Sequence, residues 1–327
     1  MMDRRHFTLV AALLLGAAAP APLDVDSAQR AIWASADAAD PMAARAPALA
    51  ALRRLAQPPG PTALKADALL LKWGTAGDAT GAWARLLARH RDDDALAAIL
   101  EGYLEGGRLP RANQQLAELA RTTRNRSVAG SARLLLARSA LTTPRRSQAL
   151  AELAAVAKAY PEVPTTLLGG GDPPRLATVA RGIIFRETGL VAGAPLPALA
   201  ARTLAGQPVT QAALAGKPVL IDFWATWCPP CVAALPRVQA LQAKHAAAGL
   251  TIVSISADDA PATVERWLAR RPEQKWAHWW VGPSGRLSAD WLNSDYPFYL
   301  VAGRDGRIIG TTNKIAEAET MVARAIR

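Results

Sequence analysis

Cysteine is nearly absent: the 327 residues hold two, Cys228 and Cys231, three positions apart. Two cysteines cannot build the cross-linked framework of a small secreted scaffold, nor a four-cysteine zinc site. Histidine is almost as scarce, at four residues, and His245 and His278 stand apart from any second cluster of ligand residues. No resident metal is expected. Long apolar runs are missing too. Residues 7–19 are the most apolar stretch, and as a helix they would extend ~20 Å, short of a bilayer core of ~30 Å. No stable membrane span is therefore expected in the mature chain. Basic runs are also absent, although Lys and Arg outnumber Asp and Glu by 38 to 27. The basic residues are interleaved with Ala and Leu, which argues against a nucleic-acid partner.

Apolar residues make up 51% of the chain and charged residues 20%, a balance that excludes disorder for the chain as a whole. The length suits two domains. At the start, Arg4 and Arg5 precede the apolar stretch and small residues follow it, the layout of a secretory signal over residues 1–21. Arg4-Arg5-His6-Phe7 resembles the opening of a twin-arginine export signal, with ordinary export as the alternative. With no cysteine nearby to carry a lipid, the expected location is the bacterial periplasm.

Residues 22–190 read as an all-helical domain, rich in Ala, Leu and Arg with apolar residues at helical spacing. Gln115-Leu116-Ala117-Glu118-Leu119-Ala120 recurs 34 residues later as Ala149-Leu150-Ala151-Glu152-Leu153-Ala154. A weaker copy lies around Trp73-Gly74 and Ala84-Arg85-Leu86-Leu87-Ala88. Thirty-four residues is the period of a tetratricopeptide-like helix pair, although the aromatic signature positions of that repeat are mostly missing. Gly106-Gly107 and Pro110 read as turns. Gly169-Gly170-Gly171-Asp172-Pro173-Pro174 reads as a linker or loop. It lacks the preceding strand and following helix that a nucleotide-binding loop requires.

Chemistry is concentrated in the second half, residues 191–327. Residues 218–225 form an apolar, strand-like run that leads into Thr226-Trp227-Cys228-Pro229-Pro230-Cys231. A helical pattern then runs over residues 232–248. A C-x-x-C between strand and helix places the two sulfurs on one face of the first turn, within disulfide range. There the helix dipole favours a thiolate at Cys228, and Cys231 can resolve a mixed disulfide.

The segment from Gly216 to Cys231 resembles the active-site segment of the TlpA/ResA-like thioredoxin-fold family. Gly193-Ala194-Pro195 and Leu204-Ala205-Gly206 are similar to that family's N-terminal hairpin. The resemblance covers about residues 192–327 and implies an α/β thioredoxin-like domain there, following the helical-hairpin domain read from the spacing, with further strands over residues 249–255, 276–281 and 298–302. A helix is expected over 261–271, and a hairpin turn at Asp305-Gly306. It makes Pro297 the family's cis-proline, facing the disulfide, with a trans proline at a strand start as the plainer reading. The residue before it is usually small or β-branched, and here it is Tyr296. By similarity to thioredoxins, Asp222 would be a buried carboxylate of raised pKa that deprotonates Cys231, unless it is only a hydrogen-bonded structural residue. Asp258 stands roughly where ResA-like proteins carry an active-site Glu, with Asp259 or a plain capping role as alternatives. Trp227, Pro229, Pro230 and Tyr296 would form the substrate-binding rim. Seven of the ten tryptophans follow Gly193, so most of them are expected in the core of the small sheet.

These readings give an enzyme whose working group is its own Cys228–Cys231 disulfide, with no further cofactor. The favoured function is a protein-disulfide reductase acting on client protein disulfides, supplied with electrons by a membrane thiol reductase. The alternatives are a disulfide oxidase or isomerase, and a helical-repeat binding protein whose redox domain is secondary. Pro229-Pro230 offers the thiolate no backbone N–H and no side-chain donor, which favours the reducing direction.

Overall fold

Asp24, Asp40, Thr75 and Asn125 each precede an apolar periodic run, and each caps a helix with its side chain. Asp24 accepts from Ser27 N (2.7 Å) at the start of α1, Val25–Ala34. Asp40 accepts from Met42 N and Ala43 N at α2, Pro41–Leu55. Thr75 and Asp78 form a reciprocal capping box at α4, Ala76–His90, and Asn125 accepts from Val128 N at α7, Arg126–Ala140. The remaining helices before the sheet are α3 (Pro61–Trp73), α5 (Asp94–Tyr103), α6 (Ala112–Thr122), α8 (Arg146–Ala159) and α9 (Leu176–Gly189).

The computed structural model describes residues 23–103, 112–165, 175–282 and 296–327. The expected leader at 1–21, the turns expected at Gly106, Gly107 and Pro110, the loop expected at 169–174 and Trp291 lie outside the described residues. The described chain divides into two compact units. The first holds α1 to α4. There Asp67, 1% exposed, accepts two hydrogen bonds from Arg85, at 3.0 and 2.7 Å, so its buried carboxyl faces a partner.

The second unit comprises Asp92–Leu104 and Asn113–Arg327 and holds α5 to α9, but for the first residue of α6, together with the sheet. The division between these compact units falls within the helical region. The two hexapeptides related by 34 residues lie on α6 and α8. Leu134 of α7, Leu153 and Val156 of α8, and Leu176, Val179 and Ala180 of α9 are buried together. Gly130 marks the close approach: a Cβ there would lie 2.6 Å from Leu176 Cδ1 and 3.1 Å from the Tyr160 ring.

The sheet has seven strands in the order β2-β1-β5-β4-β3-β6-β7. These are β1 (Ala201–Thr203), β2 (Pro208–Val209), β3 (Val219–Trp224), β4 (Thr251–Ser256), β5 (Ala277–Trp280), β6 (Phe298–Ala302) and β7 (Ile308–Thr312). β3, β4 and β5 are parallel, and β6 runs antiparallel beside β3. The central strand β3 reads as a mostly apolar run because both its faces are covered. On one face Leu220, Trp224 and Val301 pack with residues of α10 (Pro229–His245), α11 (Pro261–Leu268) and α12 (Ile315–Ala325). On the other, Val219, Ile221, Phe223 and Leu300 pack with Leu190, Leu199 and Leu214, joined by Phe185 of α9. The β6–β7 connection turns at Asp305-Gly306, where Gly306 has φ 71°. The described residues thus form an all-helical region followed by a mixed α/β sheet domain.

Candidate active site

β3 ends at Trp224, and α10 begins at Pro229 with Cys228 as its N-cap. This is earlier than the helical pattern at 232 suggested. Prolines are tolerated in a first turn because the N–H they lack has no intrahelical partner there. Cys228 and Cys231 are joined as a disulfide with Cα atoms 5.3 Å apart, and they are 4% and 2% exposed. Cys231 N donates to Cys228 Sγ at 3.3 Å. Pro229 and Pro230 lie exposed over the pair, and Trp227 is 59% exposed.

The peptide between Tyr296 and Pro297 is cis, and Asn313 Nδ2 donates to the Pro297 carbonyl at 2.7 Å. The Tyr296 and Trp227 rings meet edge to face, centroids 5.9 Å apart at 89°. The exposed tryptophan before Cys228 and the residue before Pro297 are thereby brought together. Trp276 and Trp279 are buried in the two sheet cores, and Trp267 packs edge-on against Trp224, centroids 5.0 Å apart.

Asp222 lies in the middle of β3. Side chains alternate along a strand, so it shares the face of Leu220 and Trp224, the face that also packs Cys228, Cys231 and Tyr299. It is 2% exposed, and its Oδ2 accepts from Ser254 Oγ at 3.0 Å. Burial pushes its carboxyl up to about 7, against the opposing effect of the Ser254 hydrogen bond. Ser254 Oγ in turn accepts from Trp276 Nε1 at 2.8 Å.

Asp258 is 1% exposed and fully engaged. Its Oδ2 accepts from Thr226 N (3.0 Å) and Ser256 Oγ (2.7 Å), and its Oδ1 from Thr226 Oγ1 (2.5 Å). Its backbone carbonyl accepts from Trp280 Nε1 at 2.7 Å. The carboxylate therefore ties down the residue two positions before Cys228. Asp259, its neighbour, is exposed.

His278 on β5 follows Ser254 in the strand register, and both its ring nitrogens are buried without a hydrogen-bond partner. Burial pushes its imidazole down to about 4. Among the described residues no three His, Cys, Asp or Glu side chains gather as a ligand set. Of the supporting residues, Thr226 reads from sequence only as part of the cysteine motif and Trp276 only as one of the sheet tryptophans, whereas Ser254 and Asn313 carry no individual reading there. The one available signal was that Ser254 and Ser256 interrupt an otherwise apolar strand at alternate positions.

A parallel-centred sheet, a cysteine pair at a helix N-terminus and an adjacent cis-proline define a thioredoxin-like domain. Residues 191–325 match the model of the Redoxin family. Over 55 residues, 17% of this chain, the sequence is 42% identical to the thiol-disulfide oxidoreductase ResA of Oceanobacillus iheyensis, covering 29% of that protein. It is 28% identical over 91 residues, 28% of this chain, to the ResA of Bacillus anthracis, covering 53% of it. The alignments thus span about a third to a half of those relatives. The solved thioredoxin domain of a thiol-disulfide oxidoreductase from Bacteroides vulgatus matches with TM-score 0.39 and 19% identity, over 42% of this chain and 99% of that domain.

Proposed function

We propose that this protein is an exported thiol–disulfide oxidoreductase that reduces disulfides of client proteins. The observation that carries this reading is the Cys228–Cys231 pair at the start of α10, with Asp222 buried on the same face of the sheet. In the reduced enzyme the Cys228 thiolate attacks one sulfur of a client disulfide. A mixed disulfide forms and the client's other sulfur leaves as a thiolate. Cys231 then gives its proton to the Asp222 carboxylate and attacks Cys228 Sγ. The client leaves reduced, and Cys228–Cys231 is left as the disulfide. A thiol donor, expected to be a membrane thiol reductase, restores the dithiol.

The reducing direction rests on the donors around Cys228. Strong oxidants hold a stabilised thiolate. Here the two residues after Cys228 are prolines, and the hydrogen bond at its sulfur comes from Cys231 N. Export rests on the leader at residues 1–21. Among the described residues no helix is long and apolar enough to cross a membrane.

The reduction potential, measured by equilibration with glutathione, is expected well below the ~−120 mV of a strong oxidant. A value near that figure would establish the oxidase or isomerase reading instead. Cys231→Ser in the full chain should trap the client or the electron donor at Cys228. Deleting residues 27–168 should leave insulin reduction within a few fold while slowing turnover of the trapped client at least ~tenfold, a loss of ~1.4 kcal/mol in recognition. That result would assign client selection to the helical region. An intact protein without reductase activity would favour the helical binding-protein reading.

A further inference from the structure

We propose that Trp276 and Ser254 form a hydrogen-bond relay that sets the pH at which Asp222 can take the proton of Cys231, making both of them positioning residues for disulfide resolution. This inference rests on the reading of Asp222 as the proton acceptor.

The geometry leaves the relay one direction. The indole of Trp276 is a donor only, and it aims its N–H at Ser254 Oγ, 2.8 Å away. With that lone pair occupied, the Ser254 hydroxyl donates onward to Asp222 Oδ2 at 3.0 Å. The serine is 0% exposed and Trp276 8%, so water does not compete. Because a tryptophan N–H cannot accept a proton, the relay cannot carry one away; it can only stabilise the ionised carboxylate. It therefore opposes burial, which favours the protonated form.

The other groups facing Asp222 cannot substitute for it. Tyr299 of β6 is the cross-strand partner of Asp222; burial and the nearby carboxylate hold its phenol protonated, but among the described residues the hydrogen bond to the Asp222 carboxylate comes from Ser254 and not from this phenol. His278 of β5 lies beyond Ser254 in the register and is kept neutral by burial. Cys231 is the residue of α10 that reacts. Arg237, on the same helix, is drawn outward to Glu319 of α12, at 2.8 and 2.6 Å. From α11 the packed residues are Val264, Trp267 and Leu268, none of which carries a charge, and Glu265 and Arg266 are exposed. Among the described residues, then, the polarised hydroxyl of Ser254 is the group that favours ionisation of Asp222 at short range.

The test mixes the reduced full-length protein with one equivalent of 5,5′-dithiobis(2-nitrobenzoate) between pH 5 and 9. Attack by Cys228 releases the first thionitrobenzoate. Attack by Cys231 on Cys228 Sγ releases the second, and the pH dependence of this second phase reports the acceptor. Ser254→Ala should move its inflection upward by about one pH unit, a tenfold change in the acid constant. Trp276→Phe should move it less, in the same direction, and Ser254→Thr should restore it. A carbon NMR titration of the Asp222 carboxyl in the oxidised protein should show the same displacements without any turnover. An unmoved inflection in Ser254→Ala, or equal slowing at every pH, would overturn the relay. Asp222→Asn separates the two claims. If it abolishes the parent inflection while Ser254→Ala leaves it in place, the relay fails and Asp222 stands. If the inflection survives Asp222→Asn, both fall.

Discussion

Thr226 gives both its backbone N–H and its hydroxyl to the carboxylate of Asp258, at 3.0 and 2.5 Å. The two residues are 32 positions apart, one just after β3 and the other just after β4. Their bond fixes the turn that delivers Cys228 to the start of α10. With its oxygens occupied and 1% of its surface exposed, Asp258 is better suited to bracing this turn than to moving protons. Thr226→Val, which keeps the shape but leaves a buried oxygen short of one donor, should cost about 1–3 kcal/mol in urea denaturation. Asp258→Asn should slow disulfide exchange while leaving the inflection of its pH profile in place. Loss of one limb of that profile would instead assign Asp258 an acid–base role.

Asp222 and His278 oppose each other in the pH dependence of stability. Folded, Asp222 keeps its proton up to about pH 7, whereas the unperturbed value is 3.8. The folded state binds the extra proton between those values, so stability falls as pH rises through that window, by about 4 kcal/mol. His278 stays neutral down to about pH 4 when folded, against 6.5 unperturbed. There the unfolded state binds the extra proton, and stability rises with pH between 4 and 6.5, by about 3 kcal/mol. The two slopes nearly cancel in the parent. Relative to the parent, Asp222→Asn should therefore gain stability as pH rises from 4 to 7, and His278→Gln should lose it from 4 to 6.5. Urea midpoints of the three proteins across pH 4–8 check this, and parallel curves would show that neither group is perturbed in the folded chain.

What could be read from the chain follows the range of the interactions. The apolar run of β3 and the C-x-x-C after it are local, and so is the position of Asp222 within that run. The start of α10 was read late because proline pairs register as breakers, although Pro229 and Pro230 sit where their missing N–H groups cost nothing. Partners such as Thr226 with Asp258, or Ser254 with Asp222, are set by strand register, which no single segment carries. The same holds for α9. Leu176, Val179 and Ile183 stand at helical spacing, but nothing in that spacing says that Phe185 and Leu190 meet the sheet.

Tyr296 stands where the resemblance implies a small or β-branched residue, and its ring abuts Trp227. An edge-to-face pair contributes about 0.5–1.5 kcal/mol beyond its area, enough to hold both rings beside Pro297. Tyr296→Thr should speed exchange with disulfide peptides carrying bulky residues next to cysteine, by about threefold or more relative to glycine-flanked peptides. It should leave the reduction potential unchanged. Uniform rates across the peptide series in both proteins would remove Tyr296 from substrate choice.

The last helix before the sheet belongs to the core of the sheet domain as well as to the helical layer. One face of α9 buries Leu176, Val179 and Ala180 against α7 and α8. At its other end, Phe185 and Leu190 pack with Phe223, Phe298 and Leu300, and the Arg186 guanidinium lies over the Phe298 ring, 5.4 Å from its centroid. Phe298 follows Pro297 directly, so this packing backs the strand that carries the cis-proline. A fragment cut at residue 191 would lose Phe185, Arg186 and Leu190 together. It should unfold at a clearly lower temperature than residues 92–327, which keep the whole compact unit. In the full chain, Leu190→Ala, at a site 4% exposed, should cost about 2–5 kcal/mol and slow the exchange reaction through the displaced strand. Calorimetry of the two fragments and of the variant decides the matter: equal transition temperatures for 191–327 and 92–327 would show that α9 packs on the sheet without supporting it.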